Sequence, residues 1–149
     1  MAAPVVKEWS MSYTMMDGSV RLTRLHTRRK LTEWQWPGDI HDAATCTSEI
    51  VTNAVQHGRV QGRLLLLRLA VLEDGALLID VSDPAGSFPE FGVAREPGSE
   101  DERGRGLALV TLLGGRLSWF LREHIGKTVR VHLPPRAPIP PRPEAPPQV

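Results

Sequence analysis

Apolar residues along this chain follow two periods, one typical of helices and one typical of strands. A helical period runs from Ile40 to His57, and the glycine that follows is a natural C-cap. A second helical pattern follows the turn pair Asp17-Gly18, has Ser19 as its predicted N-cap, and ends near Trp36 before a Pro-Gly pair. The apolar positions of this second helix are Val20, Leu22, Leu25, Leu31 and Trp34.

Two nearly continuous apolar runs, Leu64 to Leu72 and Ala76 to Ser82, predict central strands that helices cover. The residues Glu73-Asp74-Gly75 between them favour a tight turn, so the two strands should form a hairpin. A further strand over Glu8 to Met15 is expected at a sheet edge. The remaining predicted elements are a short helix from Leu107 to Leu113 and strands from Arg116 to Arg122 and from Thr128 to Leu133.

Two segments lack an apolar period. Residues 84–103 combine glycines, three prolines and several acidic residues, which is typical of either a functional flap or a disordered connection. From Pro134 onward the chain is rich in proline, which indicates an extended disordered tail, with a polyproline ligand as the alternative. We therefore expect one domain over residues 1–133 and a tail over residues 134–149.

Composition limits the class of partner and the compartment. The 149 residues are 41% hydrophobic, enough for one sizeable core, and 18 basic residues nearly balance 17 acidic ones. Overall charge thus gives no reason to expect nucleic acid or a membrane as the main partner. The single cysteine, Cys46, is expected to be buried and inert. The first residues lack the basic start and long apolar run that are typical of a signal peptide, and no run is long enough to span a bilayer. We expect a cytoplasmic protein.

The predicted helix from Ile40 to His57 carries an acid, an amide and an imidazole at four-residue intervals. Glu49, Asn53 and His57 would therefore lie on one face. A carboxylate facing an amide suits a hard cation and a polar substrate. A solvated helix face is the alternative interpretation of the same stripe.

Two further features have candidate chemistry. Asp83 follows a buried strand, where its carboxylate can accept a hydrogen bond from an exocyclic amine such as that of adenine, or can cap a turn. Gly104 and Gly106 stand before the predicted helix at Leu107, where free backbone amides and the helix dipole favour an anion. Glycines also begin helices without any binding role.

The order of these features resembles the GHKL ATP-binding superfamily, of the gyrase, Hsp90, histidine-kinase and MutL type. The similarity is greatest to its small single-domain members, the anti-sigma-factor serine kinases. Residues 49–58 look like the N box, residues 83–86 like the G1 box, residues 104–107 like the G2 box and residues 126–131 like the closing strand. The resemblance implies a two-layer α/β sandwich of the Bergerat type, in which a mixed, mainly antiparallel sheet has helices on one face.

The resemblance also implies ATP and Mg²⁺ as cofactors and a role for each motif. Asn53 would bind the magnesium ion, and Glu49 would be the general base toward a serine hydroxyl. Asp83 would hold adenine, with Thr128 in support, whereas His57 would either contact the nucleotide or cap and pack the helix. The remaining residues implied to contact the nucleotide are Gly86, Gly104, Arg105, Gly106 and Leu107.

The function implied is that of an ATP-dependent protein serine/threonine kinase that regulates transcription. Such a protein sequesters a sigma factor, phosphorylates an anti-sigma antagonist, and contacts neither nucleic acid nor membrane directly; a homodimer is compatible with this. Ala85 and Ser87 occupy positions where the family commonly has glycine, and this narrows the backbone conformations of the G1 box. The alternative is therefore a non-catalytic partner-binding module with weak or lost nucleotide binding.

Overall fold

The computed structural model describes residues 3–85 and 102–135, and for residues 102–106 it describes the backbone alone. The predicted flap and tail lie for the most part outside these ranges. Three helices and five strands are present in the described part of the chain. In chain order they are β1 (Val5–Thr14), α1 (Asp17–Glu33), α2 (Ile40–His57), β2 (Leu64–Leu72), β3 (Leu77–Asp83), α3 (Glu102–Leu112), β4 (Arg116–Leu121) and β5 (Lys127–Leu133).

The strands form one sheet in the order β1-β2-β3-β5-β4. As predicted, β1 lies at an edge and β2 and β3 form a hairpin, whose turn contains Gly75 at a positive φ of 89°. Every pairing among the described residues is antiparallel, which confirms a mainly antiparallel sheet and includes no parallel pair. The helical connection from β3 to β4 makes those two strands parallel, but β5 lies between them and pairs antiparallel with both.

The core lies between one face of the sheet and the helices. Alternate strand residues point toward α2, so the apolar positions of β2, β3 and β5 meet the buried side of that helix. We call this the inner face of the sheet, and the opposite face the outer face. The fully buried inner-face residues are Leu65, Leu67, Leu69, Leu77, Ile79, Val81 and Val131.

Helix α2 has the predicted bounds because its ends carry strong signals. The Asp39 carboxylate accepts a hydrogen bond from the Asp42 amide, and Gly58 is the C-cap. Cys46 is fully buried, as predicted, and this burial, together with the nearby charges of Asp42 and Glu49, raises its thiol pKa to about 12. Such a thiol is protonated at neutral pH and therefore unreactive.

Helix α1 differs from its prediction at its start and on its buried side. It begins at Asp17, so Asp17-Gly18 is its first turn, and Ser19 lies inside the helix, where its hydroxyl hydrogen-bonds to Thr14 at 3.0 Å. Leu22 and Leu25 are 44% and 43% exposed. Of the other predicted apolar positions, Leu31 is buried and Val20 and Trp34 pack partly buried against the core, while Ser19, Thr23 and Thr27 complete the buried side.

Threonine can lie on the buried side of α1 because its hydroxyl group forms a hydrogen bond within the helix. The Thr27 hydroxyl donates to the Thr23 carbonyl at 2.8 Å and lies 3.2 Å from the Thr47 hydroxyl of α2. These short side chains let α1 and α2 approach closely, which an apolar period alone does not predict.

Candidate nucleotide site

Asp83 is the last residue of β3. Its carboxylate is buried, and only one of its two oxygens has a hydrogen-bond partner among the described residues. Its Oδ1 accepts hydrogen bonds from Lys127 Nζ at 2.9 Å and from the Ala85 amide at 2.8 Å. Its Oδ2 is buried and has no hydrogen-bond partner within residues 3–85 and 102–135. Leaving such an atom without a partner is costly, so this oxygen is suited to accept a hydrogen bond from a ligand.

Two glycines allow other parts of the chain to approach Asp83. A Cβ atom at Gly58, the C-cap of α2, would lie 2.5 Å from Asp83 Cγ. Gly126, in the turn between β4 and β5, has a φ of +85°, and a Cβ there would overlap the Asp83 carbonyl oxygen. The end of α2, the end of β3 and the start of β5 therefore meet at one place.

Burial has the largest effect on the pKa of Asp83. Burial raises the pKa of Asp83, while the hydrogen bond and charge of Lys127, the Ala85 amide and the charge of Arg122 oppose that rise. Asp83 and Lys127 form an ion pair whose side chains are each 1% exposed. We infer an ionised carboxylate at neutral pH, because an ammonium group lies at hydrogen-bonding distance in a site without water contact.

The stripe predicted on α2 is present. Asn53 is buried, whereas Glu49 and His57 are half-buried. Burial raises the pKa of Glu49 above its ordinary value. His57 follows Glu49 by eight positions, which corresponds to about 12 Å along the helix axis. Glu49 therefore lies about two helical turns before His57, and Asn53 lies about one turn before it. His57 precedes the glycine that lies against Asp83.

The glycines of the predicted phosphate cradle lie elsewhere than expected. Helix α3 begins at Glu102, so Gly104, Arg105 and Gly106 belong to its first turns and do not precede it. The first four amides of a helix have no partner within the helix. The amide of Gly104 is among them, whereas those of Arg105 and Gly106 are not. Helix α3 packs against α2, which brings its first amides to the same side of the sheet as Asn53.

Three further predicted contacts have different outcomes. Thr128 hydrogen-bonds to Ser82 at 2.7 Å, and strand alternation places both on the outer face, away from Asp83. Leu107 is half-buried in α3. Gly86 lies outside the described residues, as does the Arg105 side chain.

Lys127 was missed by the sequence analysis, which began the last strand one residue later. Its position opposite Asp83 follows from the register between β3 and β5, in which Ser82 pairs with Thr128 and Asp83 with Lys127. The available signal was a lysine at the start of an otherwise apolar strand, together with an aspartate at the end of another. Only the pairing of the two strands makes that combination specific.

The residues present fit a nucleotide better than a metal ion bound by the protein alone. Within the described residues, no three His, Cys, Asp or Glu side chains are grouped for a metal. The Asn53 amide oxygen is a suitable single ligand for Mg²⁺, an ion that commonly takes its other ligands from phosphates and water. The unbonded Asp83 oxygen fits the amino group of a base.

Comparison with known proteins gives a family match and a fold match. A sequence profile described as the histidine kinase-like ATPase domain matches residues 17–133. No curated protein sequence matches the chain significantly. No helix among the described residues is long and apolar enough to cross a membrane.

Among solved structures, the RsbU and RsbW domains of Rv1364c from Mycobacterium tuberculosis align with 87% of this chain, at 20% identity and a TM-score of 0.60. The aligned part is 32% of that structure, so this chain spans about a third of it. The histidine kinase domain of the Erythrobacter litoralis EL346 blue-light activated histidine kinase aligns with 64% of this chain and 44% of its own, at 25% identity and a TM-score of 0.48. The first similarity shows a shared fold.

Proposed function

The chain belongs to the histidine kinase-like ATPase domain family, which confirms the GHKL resemblance, and on that premise we propose that it binds ATP with Mg²⁺. One observation carries the proposal, namely the buried Oδ2 of Asp83, which has no hydrogen-bond partner in the described part of the chain. The amino group of the base would donate a hydrogen bond to this oxygen. The phosphates would extend along α2 toward Asn53 and the free amides at the start of α3.

We further propose that the protein is a regulatory serine kinase. Glu49 would accept the proton of a partner's serine hydroxyl while the serine oxygen attacks the γ-phosphorus of ATP and ADP departs. The half-buried position and raised pKa of Glu49 support this role, because a base works best with a pKa closer to neutrality. The bound magnesium ion would offset the charge on the phosphates.

The proposed partners are a sigma factor, which the protein would sequester, and an anti-sigma antagonist, which it would phosphorylate. The similarity to the small single-domain anti-sigma-factor serine kinases supports this finer assignment. A non-catalytic binding module is the second candidate, and Ala85 favours it, because a side chain there restricts the segment that leaves β3.

Calorimetric titration with ATP and Mg²⁺ tests the first proposal. Asn53→Ala removes the proposed metal ligand and should weaken ATP binding by about 1–3 kcal/mol in the presence of Mg²⁺. Gln56→Ala is the matched control, because Gln56 is an exposed amide on the same helix. Absence of binding by the wild-type protein at millimolar ATP would show that the proposal is wrong.

Transfer of radiolabelled phosphate from ATP to a co-encoded antagonist protein tests the second proposal. Glu49→Gln should slow transfer by about 10²- to 10⁴-fold and leave ATP affinity nearly unchanged. Glu73→Gln, at an exposed glutamate in the turn after β2, is the control. Equal transfer by wild type and Glu49→Gln would remove Glu49 from the mechanism, whereas partner binding without any transfer would support the binding module.

A further inference from the structure

Lys127 is a buried lysine to which the proposed function gives no role. It is the first residue of β5, and the register of the sheet places it opposite Asp83. Its Nζ lies 2.9 Å from Asp83 Oδ1 and 3.4 Å from the Ala85 carbonyl oxygen. A lysine this deeply buried requires a specific partner, because an uncompensated ammonium group in the interior is unfavourable.

The bonds to the Asp83 carboxylate are distributed unequally between its oxygens. Within the described residues, both donated hydrogen bonds reach Oδ1, whereas Oδ2 receives none. The two donors thus fix the orientation of the carboxylate and leave one oxygen for a ligand. An ionised carboxylate only accepts hydrogen bonds, while a protonated one can also donate. The protonation state of Asp83 therefore decides which ligand groups this site can bind.

We propose that Lys127 is a positioning residue that keeps Asp83 ionised and thereby selects a nucleobase with an amino group over one with a carbonyl oxygen at that position. This inference rests on the proposed nucleotide function and deepens it. An amino group can donate to Oδ2, as adenine requires. A carbonyl oxygen, as in hypoxanthine, would face a second acceptor and be repelled.

Several charged or titratable groups surround Asp83 and must be considered together. Lys127 approaches from β5, Arg122 from the turn between β4 and β5, and His57 immediately precedes Gly58 at the end of α2. Burial raises the pKa of Asp83, and Lys127 is first among the groups that oppose this rise. Removing the Lys127 charge should therefore raise the pKa of Asp83 further and favour the neutral acid near neutral pH.

The neutral acid would change the binding preference of the site. Its hydroxyl group can donate to the carbonyl oxygen of hypoxanthine, so discrimination between ATP and ITP should weaken. Raising the pH would ionise Asp83 again and restore the preference for ATP. A lysine with a purely structural role would alter stability without making base preference depend on pH.

The experiment measures the affinities of ATP and ITP, with Mg²⁺, for the full chain at about pH 7 and about pH 9. The wild-type protein should prefer ATP at both pH values. Lys127→Met should bind ATP about 10- to 100-fold more weakly at the lower pH and regain affinity at the higher pH, with a smaller preference over ITP. Lys127→Arg retains the charge and should restore the wild-type behaviour.

Arg130→Met is the matched control, because it also breaks an ion pair between β5 and β3 but does so on the outer face, at Asp80. It should leave the preference for ATP unchanged. If Lys127→Met does not fold, Lys127→Gln provides a neutral side chain that can still hydrogen-bond to Oδ1. An unchanged, pH-independent preference for ATP in the neutral variant would overturn the proposal.

A second measurement needs no nucleotide and separates this inference from the proposed function. The carboxyl carbon shift of Asp83, followed by NMR against pH, should report ionisation at a higher pH in Lys127→Met than in the wild type. Identical titrations would overturn the proposal. Failure of the wild-type protein to bind ATP would overturn the proposed function instead, and the titration would still decide whether Lys127 keeps Asp83 ionised.

Discussion

Strands β3 and β5 carry two buried aspartate ion pairs, one on each face of the sheet. On the outer face, both oxygens of Asp80 are bonded: Arg130 donates two hydrogen bonds at 2.7 and 2.9 Å, and Arg68 donates a third at 3.3 Å. On the inner face, Asp83 has one saturated oxygen and one oxygen without a described partner. The two residues are three positions apart on the same strand.

This difference separates a structural carboxylate from a candidate binding carboxylate. Asp80 completes a network of charges that runs from Glu8 through Arg68 to Arg130, and each of its two oxygens already accepts a hydrogen bond from an arginine. Asp83 lies where the strand leaves the sheet, next to glycines that make room around it. Burial alone thus does not separate the two aspartates, whereas the oxygen without a partner among the described residues makes Asp83 the candidate for ligand binding.

The largest expected effect is on stability, when each aspartate is replaced by asparagine. Asp83→Asn leaves the more deeply buried Lys127 without its counter-charge and should cost about 3–5 kcal/mol in the free energy of unfolding. Asp80→Asn should cost about 1.5–3 kcal/mol, since its arginine partners are partly exposed.

The added effect of ATP tells the two variants apart independently of their stability. A ligand at 100 times its Kd stabilises a protein by about 2.7 kcal/mol, which raises the thermal midpoint. ATP should raise the midpoint of Asp80→Asn as much as that of the wild type, and should not raise that of Asp83→Asn. Equal shifts for the two variants would contradict a binding role for Asp83.

Filling the space beside Asp83 should have the next largest effect. In Gly58→Ala the new methyl group would overlap the Asp83 carboxylate, so the variant should lose about 1–3 kcal/mol of stability and bind ATP more weakly. Gly18→Ala is the matched control, because a Cβ at this helical position meets no atom within 4 Å and alanine favours a helix. Unaltered ATP affinity in Gly58→Ala would show that the carboxylate need not occupy its present position.

Loss of the hydrogen bond between Thr128 and Ser82 on the outer face should have a smaller effect, on stability and not on ATP binding. Thr128→Val removes the hydrogen bond to Ser82 and should cost about 1 kcal/mol in chemical denaturation. ATP affinity should not change, since Thr128 lies on the face opposite Asp83. A clear loss of ATP affinity would return Thr128 to the base site that the sequence analysis assigned to it.

The smallest expected effect is a shift in a pH profile. Glu49 must be ionised to accept a proton, and its raised pKa moves ionisation to higher pH, so the rate of phosphate transfer should rise with pH above the range of an ordinary glutamate. Glu49→Gln should abolish this limb of the profile. The same rise of the rate with pH in the variant would show that another group titrates. Asp80→Asn serves as the control that should retain this rise.

The sequence predicted the long elements well and the contacts between them poorly. Helix α2 has its predicted bounds because its apolar period, its N-cap aspartate and its C-cap glycine agree. The β2–β3 hairpin also formed as predicted. The buried side of α1 was not predictable from hydrophobicity, because its threonines are buried by bonding to the helix backbone and to Thr47.

The sequence by itself determined the family, the helix with its acid and amide, and the aspartate at the end of a buried strand, because these depend on residues close together in the chain. Only the tertiary structure decided which lysine meets that aspartate, which face receives Thr128, and which oxygen remains unbonded. These depend on the register between β3 and β5, strands separated by a whole helix and another strand. A shift of that register by one residue would exchange the two faces, and local patterns do not encode such long-range pairing.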